Sequence, residues 1–157
     1  MKEKVSECLV CKRIQWIKEG KNPYFVKELE TGYVVLGDSQ RFPGYTLFLC
    51  KQHATELCFL EPEFRKKFLW EMSLVSEAVY QTFLPDKLNY ELLGVGNAVH
   101  MHWHLFPRRQ GDTPKPGPVW RLSGEEMNNK KYHATERELE EKKQRLKETL
   151  EKLLREV

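Results

Sequence analysis

Three of the chain's five histidines stand in the run His100-Met101-His102-Trp103-His104, which continues with Leu105 and Phe106. Imidazoles alternate there with large apolar side chains at a period of two, the pattern of a strand with one buried face. We therefore expect a strand over residues 99–106, with Met101, Trp103 and Leu105 packed into the core and His100, His102 and His104 facing the other way. Imidazole is the side chain whose unperturbed pKa lies nearest neutrality, so such a row can attack an electrophile, exchange a proton or hold a metal. A purely structural strand has no need of it.

The remaining sequence narrows the setting. At 157 residues the chain is expected to be one domain with a real core. Its 40% hydrophobic and 31% charged residues are an ordinary soluble composition. No apolar run approaches the roughly 18 residues of a membrane span. The opening Met1-Lys2-Glu3-Lys4 leads into no signal-peptide core, so a cytoplasmic protein with no membrane partner is expected. A net charge of +3 is too small to argue for nucleic acid, although a small anionic ligand needs only local donors. The four cysteines (Cys8, Cys11, Cys50 and Cys58) do not suggest a disulfide framework, and Cys8 and Cys11 are spaced as a metal-binding or redox pair.

Periodicity and turn residues place the elements. Residues 5–20 read as a knuckle followed by a short helix. Residues 24–29 and 33–36 flank Glu30-Thr31-Gly32 as a hairpin. A loop from Asp38 closes at Pro43-Gly44 and leads into a strand over 45–50. Pro62 suits a first helical position, and Phe64, Phe68, Leu69, Met72, Val75, Val79 and Phe83 recur at helical spacings until Pro85. Residues 88–93 and 99–106 are two further strands about the bend Gly94-Val95-Gly96-Asn97. The sum is an α+β domain, a five-stranded, mainly antiparallel sheet with one long crossing helix. Residues 111–118 read as an irregular loop. From Thr135 runs a charged helix, with Thr135 and Glu138 as a capping box and Leu139, Leu146, Leu150, Leu153 and Val157 as a narrow apolar stripe. Such a helix more often lies on its own domain than in a coiled coil.

The run from His100 to Pro107 resembles the His-x-His-x-His motif, with apolar x, of the histidine triad superfamily of nucleotide hydrolases and transferases. Asn89, eleven residues before His100, the glycines Gly94 and Gly96, and the segment from Asp38 through Phe42-Pro43-Gly44 to Lys51-Gln52-His53 extend the likeness over residues 8–120. Trp103 is bulkier than the aliphatic residue most common at its position. The resemblance implies a HIT-like fold, divided into a catalytic domain with its N-terminal knuckle (1–120), a linker (121–134) and the C-terminal helix (135–157). It implies chemistry at the α-phosphate of a purine nucleotide conjugate, a dinucleoside polyphosphate or a nucleoside phosphoramidate. By position His102 is the nucleophile, forming a nucleotidyl-histidine and splitting one hard displacement into two. The carbonyl of His100 is its implied orienting partner. His104, one strand repeat or roughly 6.5–7 Å further on, would neutralise charge on the phosphate or leaving group. Asn89 and the backbone at Gly96 and Asn97 would bind phosphate, and Asp38 the ribose, unless it only caps its own turn.

Bacterial members of this type, like the related galactose-1-phosphate uridylyltransferases, complete a zinc shell begun by Cys-x-x-Cys with two distant histidines. The matching positions are His53 and His100, so the resemblance implies a closed, structural Zn2+ site of Cys8, Cys11, His53 and His100. It also implies a homodimer. Arg108 and Arg109 read as solvated charges at a strand exit in preference to guides for an anionic substrate, Cys50 as buried and His133 as exposed. Trp120 is either a loop anchor or a cover over a second nucleoside. Two other functions compete. One is a metal hydrolase with all three histidines on a catalytic ion, weakened by the lack of an acidic residue in the strand. The other is a nucleotide-binding adaptor without turnover.

Overall fold

Five strands pair into one sheet in the order β1-β2-β3-β5-β4. They are β1 (Phe25–Glu28), β2 (Gly32–Leu36), β3 (Thr46–Cys50), β4 (Lys87–Glu91) and β5 (His102–Arg108). The computed structural model describes residues 5–157, and the opening segment 1–4, expected to lead into no signal peptide, lies outside them. Every pairing is antiparallel. Helix α1 (Leu9–Lys18) precedes the sheet, and α2 (Pro62–Phe83) carries the chain from β3 to the β4 edge. β5 then returns between β3 and β4. The short α3 (Gly124–Met127) and the long α4 (Glu136–Glu156) follow. This is the expected α+β, HIT-like arrangement.

The strand period sorts the side chains into two cores. Phe48, Met101 and Leu105 face a large cluster completed by Phe68, Val75 and Val79 of α2 and by Leu146 and Leu150 of α4. The apolar stripe of α4 thus closes on its own domain, behind the capping box formed by Thr135 and Glu138. On the opposite face Tyr33, Val35 and Leu49 pack under Val10 and Ile14 of α1. A third cluster joins Phe42, Phe106 and Val119 at the other end of that face. Among the described residues no helix is long and apolar enough to cross a membrane.

Strand ends differ from the sequence reading, β4 closing at Glu91 and not at residue 93 and β1 at Glu28 and not at residue 29. The ladder begins at His102 and not at residue 99, because β3 ends at Cys50; Met101 bonds outside the ladder, to Cys50 and Ala54. β5 also runs through Pro107 to Arg108. The Arg108 carbonyl accepts from Asp86 on the β4 side, so the nitrogen of Pro107 points the other way. There β3 has already started opposite Leu105, and no ladder bond is lost to proline. Within α2, Leu69 is solvent-facing and Leu74 and Ala78 are buried in its place. Glu71, 4% exposed, accepts from the backbone N–H groups of Glu30 and Thr31 and from the Thr31 hydroxyl, fixing the β1–β2 turn.

Candidate functional site

Between the α1 core and the Phe42–Phe106 cluster lies a cavity of about 320 Å³, lined by His102, His104, Tyr45, Asp38, Arg13 and Met127 among others. This is the size range of small-molecule sites. Strand alternation puts His102 and His104 side by side on its floor, with ring centroids 4.6 Å apart. The carbonyl oxygen of His100 lies 2.7 Å from His102 Nδ1. A carbonyl only accepts, so Nδ1 carries the proton and Nε2 keeps its lone pair. Burial lowers the pKa of His102 against the support of that bond, which keeps the ring neutral at neutral pH.

His104 is fixed from its other side. Its Nδ1 lies 2.6 Å from the Tyr45 hydroxyl, and burial pushes the Tyr45 pKa up, so the phenol keeps its proton. Burial, followed by the neighbouring His102, holds the pKa of His104 down at about 3. In the tautomer that accepts the Tyr45 proton at Nδ1, His104 carries N–H on Nε2 and is a donor. Tyr45 stacks on Phe106 at 4.2 Å. Gly37 makes room for it, since a Cβ at that position would collide with the Tyr45 ring. Sequence reasoning passed over Tyr45 as one more strand aromatic. Register alone places it there: Thr46 pairs with Leu105, so Tyr45 sits at the mouth of β3 beside the triad, and no local sequence signal marks it.

The other expected residues are distributed unevenly. Asp38 lines the cavity and receives both terminal nitrogens of Arg13, at 3.2 and 2.6 Å. Asn89, Gly96 and Asn97 stand outside the cavity lining, of which that bend supplies Ala98. Asn89 accepts from Arg108 at 3.0 Å. Arg108 itself corrects the solvated reading. Its side chain is 12% exposed and donates to both Asp112 oxygens, at 2.8 and 2.9 Å, and to the Gly117 carbonyl. Arg109 bonds the carbonyls of Phe83 and Pro43. Arg108 clamps the post-triad loop because Asp112 turns back on the strand, whereas Arg109 ties the strand exit to the end of α2 and the loop before β3. In that loop Val119 is the buried anchor and Trp120 is exposed; His133 is exposed and Cys50 buried, as expected.

Residues 121–134 fold back across the Asp38–Phe42 loop. Arg41 pairs with Glu126 at 3.1 Å, Tyr132 donates to the same carboxylate, and Gln40 N–H bonds the Tyr132 carbonyl. This strap brings Met127 and Asn128 to the cavity wall, a placement no local sequence signal announced.

On the same side of the sheet, across α1 from the cavity, Cys8, Cys11, His53 and His100 bring one ligand atom each to within 4.8 Å of one another. His100 Nδ1 lies 3.6 Å from Cys8 Sγ and 3.4 Å from Cys11 Sγ, and His53 Nδ1 lies 3.2 Å from Cys11 Sγ. A tetrahedron with metal–sulfur bonds of about 2.3 Å and metal–nitrogen bonds of about 2.0–2.1 Å has sulfur–nitrogen edges of about 3.5 Å. The donors therefore fit a four-coordinate metal ion. His100 donates Nε2–H to the Cys50 carbonyl at 2.7 Å, which leaves the Nδ1 lone pair turned to the thiols. Burial holds its pKa at about 4, and a metal ligand must be the neutral ring.

Comparison with known proteins agrees with this geometry. The family model described as "HIT domain" matches residues 21–111. No curated protein matches the sequence. Among solved structures, a histidine triad protein from Marinobacter aquaeolei is 28% identical, covering 82% of this chain and 89% of that one, with a TM-score of 0.67. A hypothetical histidine triad nucleotide-binding protein from Sulfolobus tokodaii has the same fold at 21% identity (94% and 96% covered, TM-score 0.70). So does a Zn-bound histidine triad family protein from Mycobacterium smegmatis at 23% identity (98% and 100% covered, TM-score 0.64). With the family model spanning more than half of its length and the triad on β5, this chain belongs to the HIT domain family.

Proposed function

We propose that the protein is a nucleotide hydrolase or nucleotidyl transferase that breaks the α-phosphate linkage of a purine nucleotide conjugate, a dinucleoside polyphosphate or a nucleoside phosphoramidate. The observation that carries this reading is the bond from His102 Nδ1–H to the His100 carbonyl. It leaves a neutral imidazole with an unprotonated Nε2 in a cavity of substrate size. The Nε2 lone pair attacks the α-phosphorus as the bridging P–O or P–N bond breaks. The leaving group departs with that electron pair and takes a proton from solvent where its basicity requires one. The nucleotidyl-imidazolium keeps its proton on Nδ1 and donates it in a hydrogen bond to the His100 carbonyl, which stabilises the positive charge. Water or another acceptor hydroxyl then attacks phosphorus, loses its proton to solvent, and the P–N pair returns to His102.

His104 donates Nε2–H to a non-bridging oxygen throughout and stays neutral, acting as an electrostatic stabiliser and not as an acid. Asp38 accepts the ribose hydroxyls. Gly96 and Asn97 would serve the phosphate when substrate draws their bend inward, a short movement from their position beside the cavity's Ala98; Asn89, on β4, would join them by exchanging its bond to Arg108 for one to the phosphate. Zn2+ on Cys8, Cys11, His53 and His100 supplies a structural cross-link between the N-terminal helix and the catalytic strand. Thiol ligands of this kind suit a reducing, cytoplasmic setting. The free sheet edge at β4, with Tyr90, Leu93 and Val95 exposed beside it, supports pairing of two copies, to be read from the molecular mass in sedimentation.

The test is chemical trapping. Incubation with α-labelled adenosine and guanosine phosphoramidates and dinucleoside polyphosphates, followed by alkaline quench, should leave acid-labile label on His102. Binding of these compounds without label or turnover would favour the adaptor instead.

A further inference from the structure

Helix α1 presents two working faces. Leu9, Val10 and Arg13 line the histidine cavity, whereas Cys11, Ile14 and Gln15 line the recess around the metal cluster. The helix starts on a metal ligand: Cys8 is its N-cap, and Cys8 Sγ accepts from the Cys11 N–H at 3.3 Å. Two residues after Cys11, the Arg13 guanidinium holds Asp38 through two parallel bonds, at 3.2 and 2.6 Å.

An isolated surface ion pair contributes little, but this one is built in. Its guanidinium lies over the Trp16 ring at 5.4 Å, and the Arg13 carbonyl accepts from Asn22. The pair forms part of the wall of the same cavity as the two histidines. An ionised carboxylate offers about four acceptor positions. The forked guanidinium occupies one on each oxygen and fixes the carboxylate plane, leaving the remaining positions for a pair of hydroxyls.

We propose that Arg13 is the positioning residue for ribose recognition by Asp38, and that metal on the Cys8–Cys11–His53–His100 cluster, by fixing helix α1, sets where Arg13 stands. Metal and ribonucleotide then bind with positive linkage through this helix. The inference rests on the reading that the cavity takes a ribonucleotide. Linkage is reciprocal, so metal tightens nucleotide by the factor with which nucleotide tightens metal.

Both sides are measurable on the 157-residue chain loaded with zinc. Calorimetry gives Kd for AMP and GMP and for their 2′,3′-dideoxy counterparts. Competition with a chromophoric chelator gives zinc affinity with and without saturating AMP or GMP. The wild type should prefer the ribonucleotide about tenfold and hold zinc about tenfold more tightly when it is bound. Arg13→Met, which keeps the aliphatic stem, should lose both effects together, its ratio of dideoxynucleotide to ribonucleotide Kd falling to about one. Asp38→Asn is the independent variant and should lose the same two. Retention of the ribose preference in Arg13→Met, or an undiminished zinc shift in either variant, overturns the proposal while leaving the nucleotide reading intact. Failure of both AMP and GMP to bind the wild type overturns both.

Discussion

His100 and His102, two residues apart on one strand, are held in opposite tautomers. His100 gives its Nε2 proton to the Cys50 carbonyl and presents Nδ1 to the thiols. His102 gives its Nδ1 proton to the His100 carbonyl and presents Nε2 to the cavity. One peptide unit therefore belongs to both sites, and the role of each ring follows from which nitrogen is already engaged.

This division separates the proposed nucleophile from the proposed metal site. His102→Asn is expected to keep a full equivalent of metal and a native thermal transition while losing turnover by about 10³-fold or more. Metal analysis and steady-state rates on the same preparation check it. Metal lost in parallel with activity would return the case to a catalytic ion bound by all three histidines.

Tyr45 holds His104 through a single hydrogen bond of 2.6 Å. Tyr45→Phe keeps the ring that stacks on Phe106 and removes only that bond, so His104 is free to turn or change tautomer. The expected result is a fall in kcat of about tenfold with little change in KM, the effect of roughly one hydrogen bond realised in the transition state. Gly37→Ala, which drives a methyl into the Tyr45 ring, should act in the same direction. An unchanged kcat in Tyr45→Phe would show that His104 needs no orienting partner.

Strand alternation made the histidine face legible from sequence, and turn residues and helical spacing made the sheet and α2 legible, because each signal is local. Spacing marked Cys8 and Cys11 as a metal-binding or redox pair, but only family likeness added His53 and His100, since Cys11 and His53 are forty-two residues apart and no spacing rule joins them. What stayed hidden was built by long-range packing. Arg108 looked like a solvated strand-exit charge until Asp112 and Gly117 folded back onto it. Met127 and Asn128 looked like linker until Arg41 and Glu126 tied the strap across the cavity. No window of sequence holds both partners of such a contact together with its geometry.

Removal of the metal should cost stability before it costs chemistry. A metal on the cluster would join the start of α1, the loop after β3 and the segment just before β5. At a metal concentration about 100 times Kd, occupancy contributes about 2.7 kcal/mol, or a Tm change of roughly 5–10 °C for a chain of this size. Thermal unfolding with and without a strong chelator, and of Cys8→Ser and Cys11→Ser, measures it. The serine variants should have the lowered Tm already and show no further response to chelator; a response equal to that of the wild type would place the metal elsewhere.

The Arg108–Asp112 clamp gives stability a definite pH signature. Arg108, bonded to both carboxylate oxygens, is the first cause holding the Asp112 carboxyl below its usual range. Its folded pKa is thus lower than its unfolded one, and the unfolded chain binds the extra proton. Such a group contributes its full stability above the unfolded value of about 3.9. The contribution is lost as pH falls through the lower folded value, while Arg108 stays charged throughout. Asp112→Asn should therefore destabilise the protein by about 1.5–3 kcal/mol at neutral pH, the range for a hydrogen bond to a charged group. The difference from wild type should hold constant down to about pH 5 and shrink steadily below about pH 4. Urea unfolding of both proteins across that interval measures it, and a difference that grew on acidification would reverse the sign assigned to this carboxylate.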